Sequence, residues 1–159
     1  MKGCSKVKKE LISELIYNKD IQGTMDYLMK CSDAEDLQLY AYNYNWSNGF
    51  EIPNIIINNS NCSMSTALYI FYAADGFKYL MEKTVDTNME EWKIFIENLH
   101  SKIIMKSFVN KDIAFQVPLT KIQVFKLKKV IDDKETIFLE NRAEKEGFEP
   151  SRRLPDLYP

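Results

Sequence analysis

Along the chain, stretches whose apolar residues recur every three or four positions alternate with short polar interruptions. Val7, Leu11, Ile12, Leu15 and Ile16 fall on one helical face, so the spacing predicts an amphipathic helix over residues 5–18. Asp20 to Gly23 interrupt it, and a short helix with Met25, Leu28 and Met29 on one side is expected after Thr24. Ser32 and Glu35 stand three apart, where each side chain can bond the other's free backbone N–H, and so mark the start of a third helix. It runs through Leu37, Leu39 and Tyr40 and ends in the amides Asn43 and Asn45. Ser47-Asn48-Gly49 reads as a turn, and Pro53 suits the first turn of a brief helix that takes in Ile55, Ile56 and Ile57. From Ser63 or Ser65 the run TALYIFYAAD, apolar on nearly every side, predicts a buried central helix that stops at Gly76.

Asn88 is expected to cap a long helix, with Glu90 and Glu91 in its first turn and Trp92, Phe95, Ile96, Leu99 and Ile103 as its apolar stripe. After Asn110 the period shortens to about two: Ile113, Phe115 and Val117 alternate, as do Ile122 and Val124, and Thr136 to Leu139 is rich in strand formers. The expected fold is therefore mainly α (α+β), a compact multi-helix body over residues 1–141 with a small C-terminal β element of two or three strands. Residues 142–159 lack periodicity and are expected to form a disordered tail. Gly147-Phe148-Glu149-Pro150 is one translation of a transfer-RNA T-loop, so this tail reads as run-on into a neighbouring gene.

Composition narrows the chemistry. The 159 residues suit one domain with a core of its own. No apolar run approaches the roughly 18 residues of a membrane span, and the N-terminus lacks the roughly 7–15-residue apolar core of a secretory signal. A cytoplasmic location with no membrane partner is the expectation. Three scattered cysteines fit a reducing compartment. A single histidine and the absence of close cysteine pairs give no metal site, and no cofactor or phosphate-binding motif appears. The net charge is −2, unevenly spread: no Lys or Arg lies between Lys30 and Lys78, whereas Asp33, Glu35, Asp36, Glu51 and Asp75 do. Either amide-rich loops and buried segments leave no room for lysine there, or this is an acidic face that attracts a basic protein and repels nucleic acid.

The stretch YNYNWSNGFEIPNIIINNSNCSMSTALYIFYAADG, Tyr42 to Gly76, resembles the core of a bacterial family catalogued as domain of unknown function 4274. Asn43, Tyr44, Asn45, Trp46, Gly49, Phe50, Ile52 and Pro53 stand where its members carry them, as do Cys62, Thr66, Phe71, Tyr72, Asp75 and Gly76. The family core is placed at about 38–80. Ser47-Asn48 departs from the acidic pair common in that family, which weakens any cation contact there. The resemblance implies a small, mostly helical domain with no established reaction, cofactor or catalytic residue, and some relatives look like products of toxin–immunity neighbourhoods.

Candidate binding residues are Asn43, Asn45, Trp46, Asn48, Glu51, Asp75 and Asp36. Trp46 either stacks on a ligand or locks the turn onto the TALYIFY helix, its N–H bonded to a carbonyl. Asn43 and Asn45 read as amides bracing irregular backbone, and the acids with Asn48 as the exposed members of a binding face. The leading functional reading is a non-catalytic protein-interaction module, most concretely an immunity or antitoxin protein. The alternative is a small hydrolase using Asp75, Glu51 or Cys62. An enzyme should gather polar side chains in a concave pocket, and a binder should present an open acidic face. Lys121, Lys126, Lys128 and Lys129 around Phe125 read as a solvated face rather than a nucleic-acid site.

Overall fold

The computed structural model describes residues 2–17, 20–83 and 87–142, with residues 2–8 and 87 as backbone alone. Among the described residues eight α-helices follow one another: α1 (Lys2–Tyr17), α2 (Ile21–Lys30), α3 (Ala34–Asn43), α4 (Glu51–Asn58), α5 (Met64–Ala73), α6 (Gly76–Glu82), α7 (Glu90–Ile104) and α8 (Lys121–Lys128). Short 3-10 turns lie at Trp46–Asn48, Thr87–Met89 and Lys134–Leu139. The expected tail from residue 143 lies outside the described residues.

The apolar run at α5 does become the centre. Met64 to Leu68, Ile70 and Phe71 are all buried, and α5 packs against α3, α6 and α7. Its start is set by Ser63, whose hydroxyl accepts from Thr66 N at 3.0 Å. Trp92, Phe95, Ile96, Leu99 and Ile103 form the buried stripe of α7 as the spacing predicts. The rings of Phe71 and Phe138 meet at 4.4 Å, so the last 3-10 turn is sealed onto the central helix. Each fully buried ring of this kind contributes about 2–3 kcal/mol of transfer free energy.

Several local expectations are corrected. No strand exists among the described residues, only isolated bridges from Ser63 to Val109 and from Phe115 to Arg142. Residues 121–128 are helical because Thr120 and Gln123 bond each other's backbone N–H in a full capping box, which outweighs the alternation of Ile122 and Val124. Thr136 to Leu139 close as a 3-10 turn under Phe138. Helix α3 is capped by Asp33, which accepts from Glu35 N at 2.9 Å, and not by Ser32. Asp20, expected as a breaker, is the N-cap of α2 and accepts from Gly23 N at 3.0 Å. Met89, not Asn88, occupies the cap of α7. Gly76 opens α6 instead of ending a helix, after Asp75 turns the chain at φ 63°. A Cβ at Gly76 would lie 2.5 Å from the Phe71 carbonyl oxygen, so only glycine permits this close corner.

Candidate functional site

The motif from Tyr42 to Gly76 folds into two corners that rest on successive turns of α7. At the first, Asn45 caps the 3-10 turn by accepting from Ser47 N and Oγ, and Tyr44 Oη donates to Gly49 O at 2.7 Å. Trp46, half-buried, meets Tyr44 edge-on at 5.3 Å and Phe95 of α7 at 6.3 Å. The contact with Phe95 holds the turn against α7. At the second corner Trp92 Nε1 donates to Ala74 O at 2.6 Å. The indole-to-carbonyl bond expected of Trp46 is made here by Trp92, one turn from Phe95.

The predicted residues separate. Asn45, Asn48 and Glu51 are exposed around the first corner, and Asp75 is exposed at the second. Asn43 is half-buried and donates to Leu39 O at 2.8 Å, which finishes α3. Asp36 is not on an exposed face: it is 8% exposed and accepts from Tyr27 Oη at 3.2 Å. Burial, then the charge of Asp36, pushes the Tyr27 hydroxyl up to about 12, so it stays a donor at neutral pH. Cys62 is 1% exposed, and burial raises its thiol to about 12, which removes it as a nucleophile.

Two adjoining hollows lie away from both corners, where α2 ends and α3 begins. One hollow of about 470 Å³ is lined by Asp26, Tyr27, Lys30, Cys31, Ser32, Asp33 and Asp36. A second, of about 450 Å³, shares Ser32 and Asp33 and adds Glu35, Lys111 and Asp112. Five carboxylates and two lysines therefore border the two hollows. The Cys31 thiol donates to Asp33 O at 3.4 Å. Asp33, Glu35 and Asp36 belong to the acidic stretch seen in the sequence, but Asp112 is brought in from beyond α7 and has no local signal there.

A second polar cluster joins residues far apart in the sequence. Glu135, 3% exposed, holds the Lys83 ammonium and His100 Nε2, the latter at 2.9 Å. His100 stacks on Phe138 at 5.3 Å and meets Tyr79 edge-on. Burial by itself would raise the Glu135 carboxyl, but hydrogen bonds from Lys83, His100 and the Asp132 backbone outweigh it and hold it below the ordinary value. The chain's single histidine is thus part of a clamp joining α6, α7 and the last 3-10 turn. No group of three or more His, Cys, Asp or Glu side chains among the described residues is arranged to hold a metal.

Residues 32–104 match the profile of the family described as Domain of unknown function (DUF4274), a wider span than the core expected at 38–80. No curated protein and no solved structure matches the chain.

Proposed function

We propose, for a chain whose residues 32–104 belong to the DUF4274 family, that it is a non-catalytic protein-interaction module. It receives a basic segment of a partner protein in the acidic groove between α2 and α3. An immunity or antitoxin role is the concrete form of this reading. The observation that carries it is the pair of adjoining hollows bordered by Asp26, Asp33, Glu35, Asp36 and Asp112. A lysine or arginine side chain entering there meets carboxylates whose positions are already set, Asp33 by its cap and Asp36 by Tyr27, so little ordering cost is added on binding. Lys30 and Lys111 also border the hollows, so the five carboxylates outnumber the cations there by three. The hydrolase alternative loses support. This holds for its Cys62 form: the hollows do gather polar side chains, but Cys62 is buried as a thiol and the single histidine, His100, is engaged by Glu135.

The test uses a Lys/Arg-rich peptide as probe. Binding should shift the backbone amide resonances of residues 26–36 and 111–113. Association should slow as the Debye length falls from about 30 Å at 0.01 M salt to about 8 Å at 0.15 M. Reversing exposed Asp26 and Glu35 to lysine should slow association further without altering melting. Asp36 is unsuitable for reversal because it is buried. Binding that ignores salt and both reversals would dispose of the acidic-groove reading.

A further inference from the structure

Helix α8 carries apolar residues on two opposite faces. At about 100° per residue, Leu127 lies on one side, where it is fully buried, and Ile122 and Phe125 lie together on the other, 68% and 61% exposed. Lysines flank that outward pair: Lys126 to one side, Lys121 and Lys128 to the other, all exposed. Lys129 Nζ stands 4.2 Å from the centroid of the Phe125 ring. From Thr120 to Ile131 there is no carboxylate. Ile94 on α7, also exposed, instead has Glu90, Glu91 and Glu97 as its helical neighbours.

We infer that the outward face of α8 is a peripheral docking surface for a negatively charged lipid bilayer, with Ile122 and Phe125 entering the interface and the four lysines meeting lipid phosphates. This is adsorption by one short helix. It is compatible with the absence of any described helix long and apolar enough to cross a membrane.

Three physical points favour lipid over an acidic protein or a nucleic acid. All the charge on α8 is lysine, without Arg, whereas protein interfaces are enriched in Arg and depleted in lysine. Lysine has a flexible stem that lets its ammonium reach a mobile array of phosphates while the stem covers apolar surface. The outward Ile122 and Phe125 find no use against a duplex backbone but are of the type that enters the headgroup region beside basic residues. The helix is also preformed, since its capping box is complete, so docking requires no folding step. Charges beyond about 8 Å are largely screened at physiological salt, so the lysines at the contact outweigh the overall −2.

Co-sedimentation of the full chain with vesicles tests this. Binding is expected on an equal mixture of phosphatidylserine and phosphatidylcholine and not on phosphatidylcholine alone. The double variant Ile122→Ser, Phe125→Ser should lose on the order of tenfold or more in affinity, with an unchanged melting curve because both side chains are exposed. Lys126→Ala and Lys128→Ala should each weaken binding about fivefold. Absence of binding to the anionic vesicles overturns the inference. Binding that persists in the double serine variant also overturns it, because lysines alone would then account for the adhesion. Tighter capture by a polyglutamate peptide or a single-stranded oligonucleotide than by the vesicles would reassign the face to protein or nucleic acid.

Discussion

At the residue scale the two tryptophans divide the work unequally. Trp92 is 7% exposed and its N–H is bonded to Ala74 O, whereas Trp46 is only half-buried and relies on ring contacts. Trp92→Ala should therefore cost about 4 kcal/mol and Trp46→Ala about 2 kcal/mol, measured by denaturant unfolding. The reverse order would mean that the first corner, not the second, anchors α7. Glu135 gives a pH signature. Its folded-state carboxyl lies below the ordinary 4.5, so folding favours the charged form. That contribution is fully present above the unfolded value and is lost as pH falls through the folded one. Melting of the parent should drop more steeply below pH 4.5 than that of Glu135→Gln. At neutral pH Glu135→Ala should cost about 2 kcal/mol, the half-exposed Lys83 limiting the loss.

At the element scale, helix starts are decided by which polar side chain reaches a free N–H. Ser32 and Asp33 are adjacent, and both are good caps by type, yet only Asp33 bonds Glu35 N. Asp33→Ala should cost about 1 kcal/mol and Ser32→Ala well under half of that, by thermal melting. Equal losses would restore the capping box read from the sequence. Helix α8 repeats the lesson. Its capping box with Gln123 and its single buried residue, Leu127, hold a helix where alternation suggested a strand.

For the whole molecule, closure comes from a residue at the expected end of the domain. Arg142 exchanges two backbone hydrogen bonds with Phe115, both 2.7 Å, and its Nη2 donates to Asn110 Oδ1. The sequence places the end of the folded body at Asn141, and a chain cut there is expected to lose nothing. The pairing instead implies that a chain ending at Asn141 melts below one ending at Arg142, by about 1 kcal/mol. Identical melting would show that this bridge contributes nothing measurable. The molecule is also electrically lopsided: the segment from Cys31 to Phe77 has acids and no lysine, while α8 has lysines and no acid. The two proposed surfaces would therefore respond to opposite charges and can be tested separately by reversals on α2–α3 and on α8.

By itself the sequence determined the helical body, the buried α5, the stripe of α7 and the turn at Ser47 to Gly49, because each rests on local spacing or local turn chemistry. The family resemblance was legible from Tyr42 to Gly76 for the same reason: its residues are contiguous. Tertiary structure decided the rest. Asp36 is buried because α2 brings Tyr27 over it, nine residues away in sequence. Trp46 turns to α7 because Phe95 offers a ring there, and Glu135 is charged and buried because Lys83 and His100 converge on it from two other helices. The expected β element failed because alternation every two residues needs a partner strand to be realised, and residues 113–128 find none beyond a single bridge to Arg142. Hydrophobic period reports which side of an element is apolar; only the neighbours that come to meet it determine whether that side is buried, bonded or left facing outward.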